Sequence, residues 1–117
     1  MEAFMRNATM GLAFVLAGII WMSGAAAADI VYARSLAATC FTCHGTDGHS
    51  VDGVPPSLAG QNRNYLLKQL QEFREGKRPA TIMHQHAKGY TDEQLELIAG
   101  YFAAVVPGRA AAAPAVR

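Results

Sequence analysis

The only two cysteines of the chain stand three residues apart in Cys40-Phe41-Thr42-Cys43-His44, with a histidine directly after the second. A pentapeptide that holds every thiol of a chain plus an imidazole is committed to a cross-link or a bound group. The commitment matters because the domain around it is small. A short chain buries a thin core and usually needs a disulfide, a metal or a cofactor to hold together.

The compartment decides which of these is available. Residues 1–28 read as a cleaved secretory leader. Arg6 and the amino terminus supply positive charge, and Met10 to Met22 carries no charged residue. That apolar run has the length of a signal-peptide core and is short for a membrane span. Ser23, Gly24 and four alanines follow, a small-residue exit suited to cleavage before Asp29. The expectation is therefore an exported, periplasmic protein with one domain over residues 29–106. The tail, residues 107–117, is low in complexity and offers nothing large to bury. The formal charge of the 117 residues is +1. That is no footprint for nucleic acid, which calls for a concentrated basic face.

Several chemistries use two cysteines at this spacing. A thioredoxin-like redox pair needs a strand feeding a helix, and no strand pattern precedes Cys40. A zinc site needs two further ligands, for which His84 and His86 are available. A plain disulfide between Cys40 and Cys43 closes a tiny loop and stabilises little. None of these uses His44. Cys-x-x-Cys-His is the attachment sequence of c-type haem, and it does. The two sulfurs tether one edge of the ring, and the next residue falls beneath the iron as its proximal ligand. One motif implies one covalently bound haem c.

The domain reads as all-α. Ala33, Leu36 and Ala37 fall at helical spacing before the motif. The stretch from Gly45 to Gly60 is rich in Gly, Pro, Asp and Ser and reads as loop. From Asn64 to Glu75, Leu66, Leu67, Leu70 and Phe73 make one apolar face, and Gly76 is a natural stop. Lys77 to Tyr90 reads as a second loop. Thr91 with Gln94 forms a capping box, and the helix behind it presents Leu95, Ile98, Ala99 and Phe102. The expected layout is helix, haem motif, loop, helix, loop, helix.

An electron-transfer haem generally takes a second axial ligand from the protein. After residue 22 the chain holds one methionine, Met83, in the second loop. A thioether opposite histidine raises the potential. His84 and His86 beside it, and His49 near the motif, are the rival ligands, though each reads better as a solvent-facing histidine. Pro56 offers a rigid carbonyl to the other ring N–H of His44, which fixes its tautomer and orientation. Leu58 is expected against the ring, with Ile82 and Tyr90 drying the Met83 side.

These residues carry a resemblance. Cys40 to Gly45, then Pro56-Ser57-Leu58-Ala59-Gly60-Gln61, Tyr65-Leu66 and Gln69-Leu70 resemble the small periplasmic class I cytochromes c. The resemblance implies three main helices wrapped around one haem. Thr81-Ile82-Met83, Ala87-Lys88-Gly89-Tyr90 and Ala99-Gly100-Tyr101-Phe102 are similar to the cytochrome subunits of flavocytochrome c sulfide dehydrogenases. That implies an FAD-containing flavoprotein partner which oxidises sulfide and passes electrons to this haem, the chain itself doing no bond chemistry. The best-known members carry two haem domains, so this would be a monohaem form. The alternatives are a free-standing carrier working between soluble or membrane-bound redox partners, and a haem sensor in which Met83 leaves the iron. A basic run, Arg74 to Arg78 with Lys88, is a possible steering face for an acidic partner.

Overall fold

The computed structural model describes residues 28–108. The expected leader lies outside them except for Ala28, and so does the expected tail except for Pro107 and Gly108. The chain divides into two compact units, Met1–Tyr32 and Ala33–Arg117. Of the first, residues 28–32 are described, and they are helical and exposed. The second contains the rest of the fold.

Four helices are described. The first, α1, spans residues 28–44. It is longer than its apolar spacing suggested and carries the whole pentapeptide. Ala33, Ala37, Cys40 and His44 fall at i, i+4, i+7 and i+11, which is one face. Gly45 at φ 82, ψ 159 ends it, a conformation essentially restricted to glycine. A 3-10 turn follows at Thr46–Gly48. The second helix, α2, is Arg63–Arg74, capped by the Asn62 side chain, which accepts from the Tyr65 N–H at 3.0 Å. The third, α3, is the short Met83–Lys88, within the stretch that reads as loop. The last, α4, is Asp92–Ala104, opened by the full Thr91–Gln94 capping box with Asp92 and Glu93 in its first turn.

Among the described residues there are no strands. Helix α2 packs against α3 and α4. Helix α1 meets α4 through Phe41, whose ring lies 6.3 Å from that of Tyr101 and 6.2 Å from that of Phe102. The apolar face of α4 is buried as its spacing required: Leu95, Ile98, Ala99 and Phe102 are all in the core. Burial of each large side chain there contributes about 1.5–3 kcal/mol. Much of the remaining core is small, however: Ala33, Ala37, Ala59 and Ala87. Leu58, Leu67 and Leu70 are only partly buried against it. Helix α2 therefore buries Leu66 fully and leaves most of its stripe half open.

Candidate functional site

Cys40, Cys43 and His44 occupy the last turn of α1. Residues three apart on a helix share a face, so the two thiols lie side by side. Both are free; Cys40 is half-buried and Cys43 exposed. Burial pushes the Cys40 thiol up from its ordinary pKa.

His44 is 7% exposed, and its Nδ1 lies 2.7 Å from the Pro56 carbonyl oxygen. A carbonyl only accepts, so Nδ1 carries the proton and Nε2 keeps its lone pair. Nε2 has no hydrogen-bond partner among the described residues, and no fully enclosed polar side-chain atom among them is left unsatisfied. The ring is therefore held by one nitrogen and presents the other, unblocked, as a base or metal ligand. The Pro56 carbonyl is positioned from the opposite end of its loop. Leu58 N–H and Ala59 N–H both donate to Gly48 O, at 2.9 and 3.2 Å, closing the loop at its base. Its outer arc stays exposed at Val51 and Val54.

Met83 is the first residue of α3 and is half-buried. Its segment is tied to the cysteine helix through Tyr90. The Tyr90 hydroxyl lies 2.6 Å from Thr39 Oγ1 and donates to Leu36 O at 3.3 Å. Thr39 Oγ1 in turn lies 4.0 Å from Cys40 Sγ. Ile82 is 55% exposed. The three other histidines are placed differently. His84 lines a cleft with Arg74, Arg78 and Lys88. His86 is exposed. His49 is half-buried rather than free in solvent, with Nδ1 3.2 Å from Thr46 O and Nε2 3.1 Å from Val106 O. Much of the basic run is engaged as well: Arg74 pairs with Asp92, Lys77 with Glu75, and Arg78 bonds Gln69.

One buried group has no counterpart in the motif reading. Asp47 is 1% exposed and sits at φ 52, a left-handed conformation that few residues other than Gly, Asn and Asp adopt. Its Oδ1 accepts from Arg34 Nε at 3.1 Å and from the Tyr101 hydroxyl. Burial, then the bond to Asp47, push the Tyr101 hydroxyl up to about 12. The Arg34 guanidinium also lies over the Phe41 ring at 5.5 Å. A lone aspartate in a glycine-rich turn reads as a loop former. Its partners Arg34 and Tyr101 lie 13 and 54 residues away, so no local pattern marks it as buried.

This donor set fits a tethered haem c better than it fits zinc. The zinc alternative requires His84 and His86 to gather with the cysteines. Among the described residues, no three His, Cys, Asp or Glu side chains are placed to hold a metal ion. A haem instead needs two adjacent thiols, an imidazole with Nε2 available and apolar surface to cover. The last turn of α1 and the half-open leucines supply these.

Comparison with known proteins agrees. A sequence model of the cytochrome c family matches residues 30–105. The cytochrome subunit of sulfide dehydrogenase from Chlorobaculum tepidum is 48% identical over 67 residues, which cover 57% of this chain and 60% of that protein. Cytochrome c4 of Pseudomonas aeruginosa is 42% identical over 78 residues, 67% of this chain and 39% of that protein. Cytochrome c-554(548) of Halomonas halodenitrificans is 35% identical over 79 residues, 65% of this chain and 95% of that protein. The chain thus spans less than two thirds of the first two relatives and nearly all of the third. With a helical fold built on a Cys-x-x-Cys-His turn, the chain belongs to the cytochrome c family, as an all-α, class I, electron-transfer cytochrome of the haem c type.

Proposed function

We propose that this chain binds one haem c, with Cys40 and Cys43 as its thioether anchors and His44 and Met83 as its axial ligands. The observation that carries this is the His44–Pro56 bond, which fixes the protonated nitrogen away from the ligand side. When bound, the haem supplies a one-electron couple at its iron. The chain's residues do the rest. Pro56 holds the imidazole in one tautomer, so little reorganises as charge changes. The Tyr90–Thr39 bond holds the Met83 segment to the cysteine helix. Leu58 and Ile82 supply apolar cover.

The physiological role we favour is the cytochrome subunit of a flavocytochrome c sulfide dehydrogenase. In it this chain accepts electrons from an FAD-containing subunit in the periplasm, after export on a leader over residues 1–28. The 48% identity to the cytochrome subunit of a sulfide dehydrogenase supports it. A second reading, a free-standing carrier, is favoured by the match to 95% of a cytochrome c-554(548). Among the described residues, no helix is long and apolar enough to cross a membrane.

Absorption spectroscopy of the protein purified from its native host separates the two roles. Haem bands with a flavin shoulder, both bleached by sulfide, support the subunit. Haem bands alone leave the carrier. The ligand assignment is tested by Met83→Ala, which should lose the low-spin, six-coordinate ferric spectrum. An unchanged spectrum would move the ligand role to His84 or His86.

A further inference from the structure

We propose that Asp47 is a positioning residue for redox potential: its buried carboxylate, held between Arg34 and Tyr101, favours the oxidised state of the group carried by the adjoining histidine turn. The inference rests on the reading that His44 is an iron ligand.

Asp47 lies three residues beyond His44, inside the turn that Gly48 N–H closes on Gly45 O at 2.9 Å. The Gly48 carbonyl receives Leu58 and Ala59, the end of the loop that brings Pro56 to His44. The carboxylate, the ligand and the ligand's holder therefore belong to one hydrogen-bonded unit. The geometry does not itself require a charge. An asparagine tolerates the same positive φ and accepts from the Tyr101 hydroxyl, without the desolvation that an ionised group suffers in a core. The charge is thus a separate feature from the shape.

Its neutralisation is lopsided. The Asp47 side chain is 1% exposed and that of its partner Arg34 is 35% exposed. Solvent screens the guanidinium more than the carboxylate, so the pair presents net negative potential to the interior. Ferric iron carries one more positive charge than ferrous. A fixed negative potential nearby stabilises the ferric state and lowers the midpoint. Removing the anion should raise the midpoint, and removing its countercharge should lower it.

The experiment is a spectroelectrochemical titration of the haem-loaded protein and two variants, each held at the potential where the wild type is half reduced. In Asp47→Asn the ferrous-to-ferric ratio should rise about threefold or more, and in Arg34→Gln it should fall about twofold. Loosened packing alone would move both variants the same way. A shift in one common direction, or an unmoved Asp47→Asn, overturns the inference. If Asp47→Asn does not accumulate in folded form, Arg34→Gln decides alone: a fall supports the inference and no fall overturns it. A wild type whose haem is extractable rather than tethered overturns the site reading and this inference together. Tethered haem with unmoved ratios overturns only the inference.

Discussion

The loop from Gly45 to Ala59 and the segment from Lys77 to Tyr90 are similar in length; the first follows one proposed iron ligand, His44, and the second contains the other, Met83. They are held by different kinds of bond. The first is tied at its base by contacts between residues far apart in sequence. Leu58 and Ala59 bond Gly48, Gly60 N–H bonds Phe102 O at 2.8 Å, His44 bonds Pro56, and Asp47 reaches α1 and α4 at once. The second is closed mainly by bonds between residues near in sequence. Lys77 and Arg78 N–H return to Glu72 O, and Gln85 and His86 N–H return to Ile82 O. Arg78 bonds Gln69 and α3 packs on α2, and the segment's tie to the cysteine helix is Tyr90, whose hydroxyl meets Thr39 and Leu36 and whose carbonyl accepts from Arg74 at 3.3 Å. His44 is thus mounted through bonds that reach the core, whereas the Met83 segment is held by the packing of α3 on α2 and by the hydrogen bonds of Tyr90. If His44 and Met83 hold the haem as proposed, the cost of losing a bond would fall on the methionine side.

The sharpest way to break this contrast uses glycines. A Cβ on Gly45 would lie 1.9 Å from the His49 carbonyl oxygen, in a backbone at φ 82. The atoms it would meet are backbone, of His49 and Ser50, so the turn itself would have to shift. Gly76, just before the second segment, also has positive φ, 72, but a Cβ there meets nothing within 4 Å. Gly76→Ala should cost about 1 kcal/mol, the conformational term alone. Gly45→Ala should cost more than about 3 kcal/mol or prevent folding. Denaturant midpoints of the haem-loaded proteins measure both. Equal midpoints would mean that the loop yields and the contrast is wrong.

Tyr101 gives a smaller effect with a defined pH window. Its hydroxyl has a pKa near 12 in the fold, against 10.0 for the free side chain. The folded protein holds that proton more tightly than the unfolded chain does. The associated stability is complete below pH 10 and drains away as pH climbs from 10 through about 12. Two pKa units correspond to about 2–3 kcal/mol, and half-solvated neighbours reduce this to about 2 kcal/mol. Tyr101→Phe should be less stable than wild type at pH 7 by about 1–2 kcal/mol. Between pH 10 and 12 the two stability curves should converge. Parallel curves over that range would show that the Asp47–Tyr101 bond does not hold the turn.

What could be read in the sequence divides along the same line. Helix α4 was legible because its capping box and its buried stripe are local patterns, and both Thr91 and Phe102 do what their spacing implies. The bond from His44 to Pro56 was legible because a ring N–H and a rigid proline carbonyl have complementary chemistry. Helix α3 was not. Met83-His84-Gln85-His86 has no apolar period, and Ala87 is the only residue the helix buries fully. Packing on α2 makes it helical, and no local pattern reports a neighbour. Asp47 was illegible for a related reason. A buried carboxylate is defined by its partners, here Arg34 and Tyr101, 13 and 54 residues away. His49 likewise acquires its role from Val106, 57 residues along the chain.

The finest test of the contrast removes a single oxygen. Tyr90→Phe deletes the hydroxyl that meets Thr39 and Leu36 and leaves the ring in place. The loss is about 0.5–1.5 kcal/mol for a hydrogen bond of this kind. If the Met83 segment hangs from that hydroxyl, the loss falls on local opening of α3 rather than on global unfolding. The amides of Gln85 and His86, which bond Ile82 O, should then exchange about three- to tenfold faster. The amides of Leu58 and Ala59, which bond Gly48 O, should keep their rates. If Met83 ligates the iron as proposed, added imidazole should also displace it more readily in the variant. Hydrogen exchange that accelerates equally at both sets of amides would mean one cooperative unit, with the two ligands mounted alike. Acceleration confined to Gln85 and His86 would place the adjustable half of the site on the strength of one tyrosine.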